Sequence, residues 1–163
     1  ALFAVDRGCE AALKPRCGHA EHADKDKFEI RLARRVTLLL GQISSDHGLR
    51  LPSEEKTTKA LVRCLRFLVA CGYPHEDMEV ITAHAAAYLA ALAVALRKAG
   101  QPDMEPRELL HVFCLLMYIA HSYTQDLTTP LFVWHKFLFC GYCSMSVLNT
   151  AVMGLLDWLG FLL

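Results

Sequence analysis

From Phe28 to the end of the chain, apolar residues return every three or four positions, in segments divided by glycine- and proline-containing breaks. That period is the signature of amphipathic helices, and no stretch alternates apolar and polar strictly enough to be a strand. The expected class is therefore all-α. The first segment carries Phe28, Leu32, Val36, Leu39 and Ile43, with Arg31, Arg34 and Arg35 off the stripe. Asp46-His47-Gly48 ends it. Ser53 stands where a helix N-cap is wanted, followed by Glu54 and Glu55, which favour the positive end of a helix. Leu61, Cys64, Leu65, Leu68 and Cys71 then make one face, closed by Gly72.

Tyr73-Pro74-His75 is a turn, and a third helix is predicted over 76–98. Its alanine-rich run from Ala83 to Ala99 lets neighbouring helices approach closely, so this is expected to be the central helix, surrounded by the others. A fourth helix is expected over 107–123. It is apolar nearly all round between Leu109 and Ala120, the pattern of burial on most sides. Thr129-Pro130 opens a short fifth helix, and Ser144 is placed to cap a sixth that runs to the end of the chain. Residues 1–25 lack a sustained period and read as a loose arm. The expected organisation is an arm over 1–25, a helix over 26–47 and a helical domain over 48–163.

Composition narrows the function. Apolar residues are 54% of the sequence and charged residues 21%, a balance that reserves apolar surface for a partner. Seventeen basic residues offset seventeen acidic ones, so nucleic acid is not the expected partner. The seven cysteines are odd in number and several sit within apolar helical faces, which points to an intracellular, reducing compartment. Ala1 to Asp6 show no basic region leading into an apolar stretch, so no secretory signal is read there, and both ends look like cuts in a longer protein. The segment 145–163 is near the length of a membrane span. Asn149 and Asp157 make that costly, and the expectation is no membrane.

No phosphate-binding glycine loop, zinc-protease helix or nucleophile elbow is found, so no catalytic residue is assigned and an enzyme is not expected. Cys9, Cys17, His19 and His22 are zinc-type ligands, but their spacing matches no common finger. The expectation is no metal and no cofactor. Cys140 and Cys143 have redox spacing, but between helices rather than beside a strand. Lys59, Arg63 and Arg66 form a basic stripe, which reads either as a solvated face or as a site for phosphate or an acidic partner.

A family resemblance adds to this. Leu115-Leu116-Met117-Tyr118-Ile119-Ala120-His121 resembles the third helix of a cyclin box, and Ser122 to Asp126 resembles the polar turn that follows it. Ser144 to Asn149, then Leu155, Leu156 and Phe161, are similar to the fifth box helix of phosphate-pathway cyclins. Met117 to Leu131 also resembles the non-cyclin activator of the neuronal cyclin-dependent kinase. The resemblance covers about two thirds of the chain and implies a single five-helix cyclin box preceded by an extra N-terminal helix. It implies a regulatory subunit that binds and activates a cyclin-dependent protein kinase by positioning the kinase glutamate that pairs with its catalytic lysine. Carried over by position, the partner-binding residues are His121, Ser122, Val152, Leu156, Phe161 and Leu163. His121 stands where classical cyclins place a lysine, and Val152 where they place a glutamate. The alternatives are a cyclin-fold adaptor without kinase activation, favoured by Val152, and a membrane-associated helical protein using 145–163.

Overall fold

Helix boundaries fall where the sequence supplies residues that stop a helix. In the computed structural model, which describes residues 22–102 and 104–160, Gly72 takes φ +91° and Gly100 φ +63°. Glycine reaches that left-handed region without a Cβ clash. Beyond each, the chain folds back on the last turn. Tyr73 N–H donates to Leu68 O at 3.2 Å, and Gln101 N–H to Leu96 O at 3.0 Å.

Among the described residues six helices result: α1 (His22–His47), α2 (Glu54–Ala70), α3 (His75–Lys98), α4 (Pro106–Thr124), α5 (Leu131–Trp134) and α6 (Met145–Trp158). A π-helical turn, His135–Phe139, continues α5. No strand occurs among the described residues, and the class is all-α. The arm expected over 1–25 falls mostly outside the described residues, and α1 begins at His22 rather than at 26.

α1 lies against α2 and α3. Its Leu32, Ala33, Val36 and Leu40 belong to the same continuous core as the later helices, so α1 is integral to the fold. The expected stripe needs one correction. Leu40 is buried and Leu39 is exposed. In the run Leu38-Leu39-Leu40 hydrophobicity cannot select the inward residue, and the four-residue repeat from Leu32 through Val36 selects Leu40. A polar joint accompanies this packing: Thr37 Oγ1 donates to Ala33 O at 2.8 Å and lies 3.0 Å from the Thr58 hydroxyl on α2. Ser53 occupies the N-cap position of α2 but makes no side-chain cap bond, whereas Ser144 accepts from Val147 N–H at 3.3 Å at the start of α6.

α3 touches the most helices, as expected of a central helix, while α4 carries the most deeply buried face. Leu109, Val112, Phe113, Leu115, Leu116, Met117, Ile119 and Ala120 are all buried, on several faces of one helix. α3 contacts α1, α2, α4 and α6. Ala86 on it is buried and Ala90 half-buried, but Ala83, Ala87 and Ala91 are exposed. Alanine permits close approach without enforcing burial, because its methyl group adds little apolar area to drive it. By length and composition α3 is also apolar enough to cross a membrane, a property shared by core helices of soluble proteins. Within the segment singled out for a membrane, 145–163, the described residues hold the 14-residue α6, short of the roughly 20 residues a span requires.

Candidate functional site

The two ends of α4 carry different chemistry. At its C-terminal end His121 is fully buried, and its Nε2 shares a hydrogen bond with the Tyr73 hydroxyl. Thr129 N–H, from the loop before α5, donates to His121 Nε2 at 3.2 Å and to Tyr73 Oη at 3.1 Å. Tyr73 Oη also lies 2.9 Å from Leu127 O, to which it can donate, and 3.1 Å from the Thr129 hydroxyl. A ring nitrogen that accepts a backbone N–H carries no proton, so the imidazole is the neutral tautomer protonated at Nδ1. Burial pushes its pKa down, in agreement with that state. Trp134, wholly buried, packs against His121, Tyr118 and Phe67 with ring centroids 5.7, 5.6 and 5.0 Å away.

This latch ties the 124–130 loop to the end of α2 and gives it a fixed path. Large apolar side chains then face solvent along the same stretch. Leu127 is 85% exposed and Phe132 61%, with Tyr123 and Phe137 also exposed. Of the ten exposed large hydrophobics among the described residues, these four fall within fifteen residues of sequence, and Leu38 on α1 is as open as Phe132.

The six residues assigned to partner binding fare differently. Ser122 is exposed, with its hydroxyl donating to Tyr118 O at 2.9 Å. His121, Val152 and Leu156 are buried, the first in the latch and the other two in the core cluster beside Leu148, Ala151 and Leu155. These three are therefore not presented to solvent as a seam. An apolar stripe on a terminal helix looks the same whether it faces a core or a partner, and here α3 and α4 already cover it. Phe161 and Leu163 lie outside the described residues.

At its other end α4 borders a cleft of about 780 Å³. α2 and α4 both begin at this cleft, and the π-helical turn closes its third side. Ala60, Leu110, Cys114, Leu138 and Phe139 give it an apolar floor, and Lys56, Lys59, Arg63 and Arg107 make the rim basic, with Glu105 and His111 beside them. Lys59 Nζ is 2.6 Å from Glu55, Arg63 donates to Phe137 O at 2.8 Å, and the Arg107 guanidinium stands 5.2 Å from the Tyr142 ring centroid. Burial, then the nearby Arg107 charge, holds the His111 pKa down, so its imidazole is neutral at pH 7. Sequence reading found Lys59 and Arg63 as a stripe with Arg66, but Arg66 does not line the cleft. Arg107 and His111 come from a helix more than forty residues away, and no spacing rule links them to α2.

Among the described residues no three His, Cys, Asp or Glu side chains group as metal ligands. Cys9, Cys17 and His19 lie outside the described residues, as does the side chain of His22. Cys140 and Cys143 are free thiols, and burial raises the Cys143 pKa, which works against a redox nucleophile. The Cys114 hydrogen bond and then burial push Cys64 well up, leaving it a small buried hydrophobe.

Comparison with protein-family models, with curated proteins and with solved structures finds no match to this chain.

Proposed function

We propose that this chain is a regulatory subunit of the cyclin-box kind, which binds and activates a protein kinase of the cyclin-dependent class. The observation that carries the reading is the latched, solvent-facing apolar rim from Tyr123 to Phe137. It sits where the resemblance to a cyclin box places the junction of the third and fourth box helices. α2 to α6 supply five helices in succession with short connections, the number the box requires. A rim fixed before binding loses little conformational entropy when a partner covers it. In this reading Ser122, Tyr123, Leu127 and Phe132 meet the kinase, while His121, Val152 and Leu156 hold the surface in place from behind.

A second reading is favoured by the burial of His121 and Val152. The two positions at which classical cyclins anchor their kinase are closed here, and neither offers a charge. A helical adaptor that holds its partner through the same rim without activating a kinase accommodates that directly.

Purified cyclin-dependent kinases, each assayed for phosphorylation of a peptide with and without this chain, separate the two. Stimulation of a kinase, lost in Leu127→Asp/Phe132→Asp, supports the activator. Binding without stimulation supports the adaptor. Failure of every kinase to bind sinks the first reading.

A further inference from the structure

We infer that the cleft between the N-terminal halves of α2 and α4 is a second docking site, which takes an acidic peptide segment with an apolar anchor residue.

The first ground is charge. The whole chain is balanced, seventeen against seventeen. The cleft is not: Lys56, Lys59, Arg63 and Arg107 line it against the single carboxylate of Glu105. Like charges gathered around a concave, low-dielectric floor focus a positive potential that attracts anions. The gathering is produced by the fold, since three of these side chains come from successive turns of α2 and one from the first turn of α4.

The second ground is shape. A cleft of about 780 Å³ is far larger than a phosphate or a carboxylate needs, and its floor offers such an ion nothing. Leu110, Leu138 and Phe139 ask for an apolar side chain, and the cations above them ask for acidic groups on either side of it. A peptide with a leucine- or phenylalanine-like anchor flanked by carboxylates or phosphoryl groups satisfies both. Nucleic acid would place a longer phosphate track on the protein than the cleft supplies, and a chain with no net charge is poorly suited to one.

The third ground is that the cations are already held. Arg63 is tied to the Phe137 carbonyl and Arg107 is placed over Tyr142. These bonds leave guanidinium N–H groups available, because each guanidinium carries five donors. Held side chains lose less entropy on binding than free ones, and arginine is suited to carboxylate and phosphoryl groups. The rim at the far end of α4 carries Asp126 and Lys136, one charge of each sign, rather than a cluster of cations, so the two sites select different partners.

The test uses fluorescence anisotropy with the full chain. The probe is a labelled peptide of about twelve residues with glutamates flanking a central leucine. The controls are the same peptide with lysines for glutamates, the same peptide with glycine for leucine, and inorganic phosphate as competitor. The expected result is saturable binding of the acidic peptide that weakens as salt rises. Lys56→Glu/Arg107→Glu should weaken it by about tenfold or more while the circular-dichroism melting curve stays in place. The glycine peptide should bind more weakly than the leucine peptide, and phosphate should compete only at far higher concentration. Equal binding of the lysine peptide overturns the proposal, as does unchanged affinity in the double variant. Phosphate competing as well as the peptide would make this a small-anion site and also overturn it. Lys56→Glu alone is the second variant: its side chain is exposed, so loss of binding there is not loss of fold. Kinase binding through Leu127 and Phe132 is untouched by these variants, so either reading can fail without the other.

Discussion

The two ends of α4 solve opposite problems with the same kind of residue. At the C-terminal end the polar groups face inward. His121, Tyr73 and Thr129 bond to one another, and the surface left outside is apolar. At the N-terminal end the apolar groups face inward as a floor and the polar groups stand outside as cations. A histidine occurs at each end, and in both burial lowers its pKa. At one end it ties a loop, and at the other it lines a cleft. The difference teaches that a partner surface can be made either by turning polar groups inward, here with His121 Nδ1 and Trp134 Nε1 buried without a hydrogen-bond partner among the described residues, or by leaving charges at a rim. The closed end should matter more for stability than the cations of the open end.

The largest expected effect is at the closed end. Trp134→Ala removes a fully buried ring shared by α2, α4 and the latch, and should cost about 3–5 kcal/mol in urea unfolding. A cost below about 1 kcal/mol would mean that the latch region is not packed as described. Next, Tyr73→Phe deletes a hydroxyl that serves His121, Thr129 and Leu127, and should cost about 1–3 kcal/mol. Amide exchange at Thr129 should accelerate more than exchange within α4, and equal acceleration everywhere would remove the latch from the account.

The pH dependence follows from the same histidines. Their folded pKa values lie below the ordinary value of about 6.5, so the unfolded chain binds more protons in acid. The stability contributed by neutral His121 and His111 is therefore complete above about pH 6.5 and lost as pH falls through the lowered values. Urea midpoints measured between pH 7.5 and 5 should decline. His121→Gln should flatten the decline more than substitution of an exposed histidine such as His84. The smallest effect belongs to the open end: Ser53→Ala, at a helix start where the hydroxyl makes no cap bond, should stay within about 0.5 kcal/mol. Ser144→Ala, which loses a formed cap bond, should cost about 1 kcal/mol by the same assay.

The helices were legible because glycine, proline and the three-to-four period mark them in one dimension. Gly72 and Gly100 punctuate α2 and α3, and the continuous apolar face of α4 declares its burial. What the sequence left open is what depends on a third dimension. Leu39 and Leu40 are chemically alike, and only the packing of α1 on α2 and α3 separates them. The alanines of α3 let four helices gather on it, yet α4 buries more of its own surface, because larger side chains gain more by burial. His121 was identified as a distinctive residue, but its partners come from Tyr73 and Thr129, and only the fold brings those to it. Half of the cleft was visible as Lys59 and Arg63. The other half, Arg107 and His111, became visible only when α4 was seen lying across α2.

The most direct measurement is hydrogen exchange of this chain alone and in complex with a cyclin-dependent kinase that binds it. Protection is predicted at the end of α4, across the 124–130 loop and into α5, with the α2 and α4 starts that border the cleft unchanged. Protection centred on those starts, or none between residues 122 and 137, would contradict the account.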